Sequence, residues 1–283
     1  MENYLSFAKE IAYYAGDIIK EYFNKEINIE YKEDKTPVTL ADQKINNYLI
    51  EKVKKHYPNH SVDGEEEKLK NQSDYIWVCD PIDGTSMFIR HIPVCVFSLA
   101  LVHNGTPIIG VVYDPFLDEM YYAIKGKGAF CNNKQIHVNN KNYGDLGSSI
   151  DYCMWENAKY DILDYLKEFR KDFKTSSLGS VAHASMLVAS GKISGEIFPG
   201  TKHANCDLAA SALIVEEAGG MVTNFNGQKQ RYDTDLDGAI ITNGIIHEQI
   251  IKLIKTKGIM NRKKEQIWTN LQKKWLMIMP INY

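Results

Sequence analysis

The sequence lacks any long apolar run, and no stretch approaches the ~20 residues that a membrane-spanning helix needs. It also has no excess of basic residues, because 33 lysines and arginines stand against 36 aspartates and glutamates. Nucleic-acid-binding domains usually carry a basic excess, so this balance argues against that class. The first residues lack the charged and then apolar plan of a secretory signal peptide. We therefore expect neither a membrane protein nor a nucleic-acid binder.

Cysteine is scarce as well. The five cysteines are scattered without a CxxC pair, and their odd number fits a reducing compartment better than a disulfide framework. We therefore expect a cytoplasmic protein. The eight histidines lack the spacing of metal ligands, and the chain has neither a Gly-x-Ser-x-Gly elbow nor a Walker loop. We therefore expect any catalysis to depend on residues outside these motifs.

The sequence does contain two different patterns of secondary structure. Apolar residues recur at helical spacing over 5–22 and 41–53, and short strands separated by turns follow over 75–138, which predicts an antiparallel meander. Beyond about residue 140 the patterns of strands and helices alternate. That part includes a predicted helix from Tyr160 and a predicted strand over Ile193–Phe198, as in a layered α/β unit.

These patterns divide the chain of 283 residues into two halves and an extension. We expect an α+β half over residues 1–142 and an α/β half over residues 143–260, packed closely around a shared cleft. Residues 261–283 form a C-terminal extension in which basic residues are interleaved with apolar ones. This extension predicts either a basic amphipathic helix that docks on a partner or on the chain itself, or an ordinary packed or frayed tail.

The most informative stretch for chemistry is Trp77–Thr85, in which an apolar strand leads to Asp80 and Asp83 in a tight turn. Carboxylate oxygens are hard ligands that suit Mg²⁺. Gly84 and Thr85 follow at once and can begin a helix, whose free N–H groups favour a phosphate. An isolated Asp-Gly pair would more often be a plain turn, with Asp80 as a surface residue.

Acidic residues also stand at other places along the chain. Four of the five residues in 63–67 are acidic, which is usual for a solvated face but also fits a cation that offsets their repulsion. Asp207 precedes an apolar helix, so the simple interpretation makes it an N-cap, although a capping carboxylate can still reach a metal with its second oxygen. Thr39 and Asp42 have the spacing of a capping box.

Taken together, these motifs resemble the inositol monophosphatase family of the lithium-sensitive, metal-dependent phosphatases. The resemblance extends from the first helix to a helix at about 245–254, and the order of its motifs makes coincidence unlikely. The matching motifs are Ala41-Asp42-Gln43, Gly64-Glu65-Glu66, Asp80-Pro81-Ile82-Asp83-Gly84-Thr85, Gly126-Lys127-Gly128-Ala129-Phe130, and Asp207-Leu208-Ala209-Ala210 leading to Glu217-Ala218-Gly219-Gly220.

The resemblance implies a fold and a set of metal ligands. The fold is the layered αβαβα sandwich of the inositol monophosphatase and fructose-1,6-bisphosphatase type, with the site between its halves. Two or three Mg²⁺ ions would bind there. The resemblance implies that Glu65, Asp80 and the Ile82 carbonyl hold one ion, and that Asp80, Asp83 and Asp207 hold a second.

The resemblance also implies roles in catalysis and substrate binding. Thr85, hydrogen-bonded to Asp42, would orient the attacking water together with Glu65. The amides of Gly84 and Thr85 would hold the phosphate, and the metal ligands Asp83 and Asp207 would also face the substrate.

Two departures from the family pattern concern the substrate. Cys206 stands where many members have tryptophan, and the loop over 198–205 is about two residues longer than in those members. The acid that contacts inositol hydroxyls in the mammalian-type enzymes falls near Gly200 or Thr201, whereas Glu196 lies close without aligning. These departures leave the substrate open.

The sequence therefore predicts a Mg²⁺-dependent phosphomonoesterase that hydrolyses a small phosphorylated alcohol with an activated water, similar to inositol-1-monophosphatase. Histidinol-phosphatase and 3'(2'),5'-bisphosphate nucleotidase activities of the same family are alternatives. A non-catalytic binding protein on the same fold is an alternative of another class. Because homodimers are common in this family, we also expect a homodimer.

Overall fold

The structure is a computed structural model that describes residues 1–25, 29–31, 37–153, 158–160 and 162–256. The predicted extension over 261–283 lies outside these residues. Within them the elements run in the order α1 (Glu2–Phe23), β1 (Ile29–Tyr31), β2 (Pro37–Thr39), α2 (Leu40–His56), β3 (Ser61–Gly64), β4 (Lys68–Leu69), β5 (Tyr75–Asp83), α3 (Thr85–Phe88), β6 (Val96–His103), β7 (Thr106–Asp114), β8 (Glu119–Ile124), β9 (Ala129–Cys131), β10 (Lys134–Ile136), β11 (Ser149–Tyr152), α4 (Leu163–Asp172), β12 (Lys174–Ser176), α5 (Val181–Ala189), β13 (Gly195–Phe198), α6 (Ala204–Glu217), β14 (Met221–Thr223), β15 (Ala239–Thr242) and α7 (His247–Thr256).

The first large sheet has eight strands in the order β10-β9-β8-β7-β6-β5-β3-β4. Strands β5 to β10 follow one another as antiparallel neighbours, which confirms the predicted meander. Strand β3 instead lies parallel to β5. The carboxyl ends of these two strands therefore meet at one edge of the sheet, where the sequence places Glu65 and Asp80.

The second sheet has five strands in the order β12-β11-β13-β15-β14, with parallel pairing of β11 to β12 and to β13. Two predicted boundaries were wrong here. Strand β13 begins at Gly195 rather than Ile193, and helix α4 begins at Leu163 rather than Tyr160. The backbone N–H of Tyr160 donates to the Pro199 carbonyl at 3.2 Å, which ties this segment to the loop after β13 instead of starting a helical turn.

The core shows that helices and sheets alternate in five layers. On β5 the side chain of Trp77 packs with α1 and α2, whereas that of Val78 packs with α5 and α6. On β13 the side chain of Phe198 joins the same α5/α6 layer, whereas that of Ile197 packs on the outer side with α4 and α7. Each strand thus buries both of its faces. The predicted αβαβα sandwich is confirmed.

Helix α6 lies in the middle layer and is held near its middle and at its C-terminal end. Near its middle, a Cβ at Gly110 of β7 would come within 2.8 Å of the Ala210 carbonyl oxygen, so glycine permits this close packing. At its C-terminal end, the Glu217 carboxylate accepts hydrogen bonds from the backbone N–H groups of Gly126 and Gly128 at 2.6 and 2.7 Å. The motif over 126–128 therefore has a structural role in fixing α6.

None of the helices in the described part of the chain is long and apolar enough to cross a bilayer.

Candidate metal centre

The carboxyl end of β5 positions the first two acids. Asp80 and Asp83 are both buried, and the pairing of β5 with β6 shifts register between them. The Ile82 backbone N–H donates to Asp80 Oδ1 at 2.9 Å, which fixes that carboxylate. Gly84 follows with a φ of 94°, and a Cβ there would come within 2.7 Å of the Val94 carbonyl oxygen. Only glycine fits this turn, so its identity sets where the chain leaves the acids.

Asp207 comes from the other half of the chain, in the first turn of α6. The prediction that Asp207 is the N-cap was wrong, because the helix begins three residues earlier, at Ala204, with His203 as N-cap in the left-handed conformation at φ 62°. Carboxylate oxygens of Asp80, Asp83 and Asp207 all lie within 4.8 Å of one another. We name these three residues the carboxylate centre.

The start of α5 anchors Asp83. Its Oδ2 accepts hydrogen bonds from the Ser180 hydroxyl at 2.5 Å and from the Ala182 backbone N–H at 2.6 Å. Ser180 is also the N-cap of α5, since its hydroxyl oxygen accepts the His183 N–H at 3.2 Å. The sequence analysis missed Ser180. A serine directly before the apolar helix was the available signal, but nothing in the sequence tied it to Asp83.

Glu65 follows β3 and lies beside the carboxylate centre. Its backbone N–H donates to the Cys79 carbonyl at 3.0 Å, so the parallel pairing with β5 continues one residue past the strand. Among charged groups Glu65 has the largest effect on the pKa of Asp80, which it raises. The structure thus brings Glu65 near the three acids, although Glu65 is not one of the three that share the 4.8 Å spacing.

The electrostatics of the centre are unfavourable without a cation. Burial raises the pKa of Asp80 well above its usual range, and the nearby charges of Glu65, Asp83 and Asp207 raise it further. Burial also raises the pKa of Asp83 to about 6, against the lowering effect of its hydrogen bonds from Ser180 and Ala182. Carboxylates that share a site repel one another unless a bound proton or cation offsets their charge. Their oxygen donors fit Mg²⁺, so the residues present suit that ion.

Asp42 and Thr85 are arranged differently from the expectation. Asp42 Oδ2 accepts hydrogen bonds from the Thr39 backbone N–H at 2.8 Å and hydroxyl at 2.5 Å, which confirms the capping box of α2. The Thr85 hydroxyl donates to the Ile82 carbonyl at 3.0 Å. Among the described residues Asp42 Oδ1 has no hydrogen-bond partner and Oδ2 accepts from Thr39, so the expected Thr85–Asp42 hydrogen bond is not seen. Burial raises the pKa of Asp42 to about 7, and the charges of Glu66 and Glu65 make a smaller contribution in the same direction.

The anion site expected after Asp83 is built on a short helix. Helix α3 contains only Thr85–Phe88, and the backbone N–H groups of Met87 and Phe88 donate to the Gly84 carbonyl. Gly84 and Thr85 therefore lie at the very start of this turn, directly beyond the carboxylate centre.

A second group of titratable side chains lies inside the second sheet. Asp151, Cys153 and Glu196 are fully buried, and their ligand atoms lie within 4.8 Å of one another. Asp151 Oδ1 accepts a hydrogen bond from the Ser176 hydroxyl, and Glu196 Oε2 accepts one from the Ser185 hydroxyl, both at 2.7 Å. We name the three residues the buried acid cluster. Sequence analysis missed it, because the register that sets Asp151 opposite Glu196 is not visible in either strand alone.

Comparison with known proteins places this geometry in a family. The model of the inositol monophosphatase family matches residues 1–258. The chain belongs to the inositol monophosphatase family. Members of this family are metal-dependent phosphatases and act on small phosphate monoesters, so they are phosphoric monoester hydrolases. The family match ends before the extension over 261–283.

Curated relatives extend over most of the chain. A fructose-1,6-bisphosphatase/inositol-1-monophosphatase of Thermotoga maritima is 30% identical over 256 residues, which cover 88% of this chain and 95% of the relative. Inositol monophosphatase 2 of Solanum lycopersicum is 31% identical over 271 residues, with 90% of this chain and 98% of the relative covered. The Nus factor SuhB of Pasteurella multocida is 31% identical over 246 residues, with 80% and 87% covered.

Solved structures of family members have the same fold. The Thermotoga maritima IMPase superposes with a TM-score of 0.80 at 28% identity, covering 90% of this chain and 98% of that one. The extragenic suppressor protein suhB of Bartonella henselae superposes with a TM-score of 0.83 at 26% identity, covering 91% and 100%. These similarities agree with the five-layer sandwich described above.

Proposed function

We propose that this chain is a Mg²⁺-dependent phosphomonoesterase that hydrolyses a small phosphorylated alcohol such as inositol 1-phosphate. The observation that carries the proposal is the convergence of Asp80, Asp83 and Asp207, from distant parts of the chain, to within 4.8 Å. The proposal takes the enzyme to be a cytoplasmic homodimer, in keeping with its cysteine content and its family.

We assign the metal ligands as the family resemblance implies. Glu65, Asp80 and the Ile82 carbonyl would hold one Mg²⁺, and Asp80, Asp83 and Asp207 would hold a second. When bound, such ions would supply the charge to activate a water, stabilise the leaving alkoxide and align both for in-line displacement. The burial of Asp80 and Asp83 supports the assignment, because it removes competing water from the carboxylates.

The chain's own groups orient the reactants. Ser180 and Ala182 hold one oxygen of Asp83, which fixes the direction of the carboxylate. The amides of Gly84 and Thr85 would hold the phosphate at the start of α3. We assign orientation of the attacking water to Glu65 and Thr85.

Asp42 acts in this proposal through position rather than through Thr85. It caps α2, and it lies close enough to Glu65 and Glu66 for their charges to raise its pKa. Helix α2, with its capping box, thus lies beside the segment that carries Glu65.

The names of the relatives support a small phosphate monoester as substrate. One relative is a fructose-1,6-bisphosphatase/inositol-1-monophosphatase, and one structural neighbour is a dual specific IMPase/NADP phosphatase bound with D-inositol-1-phosphate. The choice among such substrates depends on polar contacts in the loop over 198–205, since an unmatched substrate hydroxyl leaves a buried polar group without a partner.

Steady-state hydrolysis tests the proposal. Inositol 1-phosphate, histidinol phosphate and 3'-phosphoadenosine 5'-phosphate are each supplied with Mg²⁺ and with EDTA, and released phosphate is measured. We expect Mg²⁺-dependent release from at least one, with inositol 1-phosphate the best substrate. Release from another compound alone would reassign the substrate within the class. No release from any of them would contradict the enzymatic proposal and favour a binding protein on this fold.

A further inference from the structure

The two halves of the chain are joined directly beside the carboxylate centre. The Asn205 side-chain amide donates from Nδ2 to Asp63 Oδ2 at 2.8 Å. The neighbouring Cys206 thiol lies 3.6 Å from the Asp63 carbonyl oxygen and donates to it. We name Asp63, Asn205 and Cys206 the clasp. It joins the end of β3 to the first turn of α6, across more than 140 positions of sequence.

The clasp is built from buried and charged groups. Asn205 is 3% exposed and Cys206 is 1% exposed, so water has little access to either side chain. The acceptor in the Asn205 bond is a carboxylate oxygen, and hydrogen bonds to ionised acceptors are roughly twice as strong as neutral ones. The other oxygen of Asp63 pairs with Lys68 Nζ at 2.5 Å, and this ion pair holds the carboxylate in place.

The position of the clasp relates it to the metal ligands. Asp63 stands two residues before Glu65, and Asn205 stands two residues before Asp207. The Glu65 backbone N–H is bonded to the Cys79 carbonyl of β5, and Asp63 is bonded to Asn205, so these two contacts together fix the segment that carries Glu65 relative to α6. Neither Asp63 nor Asn205 belongs to the sequence motifs assigned to the metal.

We propose that Asn205 is a positioning residue for the metal centre, which sets the distance between Glu65 and Asp207 through its hydrogen bond to Asp63. The proposal rests on the proposed function, since it assumes that these two acids share bound cations. Partners outside the metal ligands usually orient those ligands, and their loss weakens metal affinity roughly 10–100-fold.

The test compares Asn205→Ala with a matched control, Ser61→Ala. Ser61 lies on β3, the strand that carries Asp63, and is also buried, and its hydroxyl exchanges hydrogen bonds with the Asn71 backbone. Both variants lose a buried hydrogen bond, so a purely structural role predicts the same behaviour for both. Mg²⁺ affinity is measured by calorimetric titration of the full chain, and folding is checked by circular dichroism and thermal unfolding.

We expect Asn205→Ala to weaken Mg²⁺ binding by about tenfold or more, and Ser61→Ala to change it less than about twofold. The exchange variant Asp63→Asn/Asn205→Asp reverses the hydrogen bond at constant net charge, and it should restore wild-type affinity to within about threefold. A folded Asn205→Ala protein with wild-type Mg²⁺ affinity would overturn the proposal. If Asn205→Ala does not fold, the exchange variant decides, because a folded exchange variant with tenfold weaker Mg²⁺ binding would also overturn it.

These outcomes are separate from failure of the proposed function. A wild-type chain that binds Mg²⁺ but hydrolyses no phosphate monoester would refute the enzyme while leaving the clasp testable by titration alone.

Discussion

The carboxylate centre and the buried acid cluster hold their ligand atoms at the same spacing, within 4.8 Å, but in different surroundings. The centre lies where both halves of the chain meet, and Asp207 is partly exposed there. The buried acid cluster lies wholly inside the second half, and Asp151, Cys153 and Glu196 are all 0% exposed. A hydrated ion and a substrate can therefore approach the first group but not the second.

The two groups also differ in how their charge is offset. The charged neighbours that raise the pKa of Asp80 include Glu65, Asp83, Asp207 and Asp42, which are too many carboxylates for one shared proton to neutralise. The buried acid cluster has two carboxylates, and burial raises the pKa of Glu196 well above its usual range, with Asp151 adding to the effect. Close spacing of acids alone therefore does not distinguish the two groups, whereas their accessibility and the number of acids do.

The largest expected effect is loss of turnover at the carboxylate centre. Asp83→Asn keeps an oxygen that accepts from Ser180 and Ala182 but removes the charge that would hold a cation. We expect kcat to fall by at least about 100-fold, because even partners outside the metal ligands cost roughly 10–100-fold when removed. Phosphate release and circular dichroism measure activity and folding. An active, folded Asp83→Asn enzyme would contradict the assigned role.

The next effect concerns stabilisation by the metal. Mg²⁺ at about 100 times its Kd should raise the free energy of unfolding of the wild type by about 2.7 kcal/mol. Asp80→Asn should lose most of that gain, and Glu196→Gln should keep it. Thermal unfolding with Mg²⁺ and with EDTA measures the gain. Loss of the Mg²⁺-dependent gain in Glu196→Gln but not in Asp80→Asn would contradict the assignment of the metal to the carboxylate centre.

Two buried serines provide a matched pair, because the α5 N-cap Ser180 donates to Asp83 and Ser185 within α5 donates to Glu196. We expect Ser180→Ala to weaken Mg²⁺ binding by roughly tenfold. Ser185→Ala should cost about 1 kcal/mol of stability and leave Mg²⁺ affinity unchanged. Calorimetric titration and denaturant unfolding separate the two results. Equal loss of Mg²⁺ affinity in both variants would show that the helix, not the contact with Asp83, matters.

The smallest effect is the pH dependence of the buried acid cluster. Since the folded pKa of Glu196 is raised above its ordinary value of 4.5, the unfolded chain releases this proton first as pH rises. Folded stability is therefore retained below that value and decreases as pH rises toward the folded pKa. Glu196→Gln removes the loss, so the variant should be more stable than the wild type at pH 8.

Denaturant unfolding from pH 5 to pH 8 measures this effect. A Glu196→Gln protein that is less stable than wild type at pH 8 would mean that the glutamate is ionised and paired with a cation. In that case the buried acid cluster would hold a cation, as we propose for the carboxylate centre.

The sequence was sufficient for elements whose pattern is local. The meander over 75–138 and helices α1 and α2 could be predicted from alternation, turns and helical spacing alone. The start of α6 could not, since His203 caps the helix in a left-handed conformation that histidine adopts only occasionally. Asp207 therefore lies in the first turn of α6 and not at the predicted N-cap position.

The site was predicted where acids follow recognisable strands, as Asp80 and Asp83 do. The supporting contacts were not, because they join residues far apart in sequence. Ser180 holds Asp83 across 97 positions, and Asn205 holds Asp63 across 142. Thr85 shows the same limit, since its hydroxyl donates to the Ile82 carbonyl three residues away rather than to Asp42. Long-range pairing depends on how layers pack, which a single chain pattern does not encode.

We infer that divalent cations offset the charge of the acids that β5 and α6 bring together. Anomalous diffraction from crystals grown with Mn²⁺, an ion that carboxylate oxygens also bind, tests it most directly. We predict anomalous peaks between Asp80, Asp83 and Asp207, with a further peak toward Glu65, and no peak at Glu196. Peaks confined to the buried acid cluster, or none near Asp80 at saturating Mn²⁺, would contradict the account.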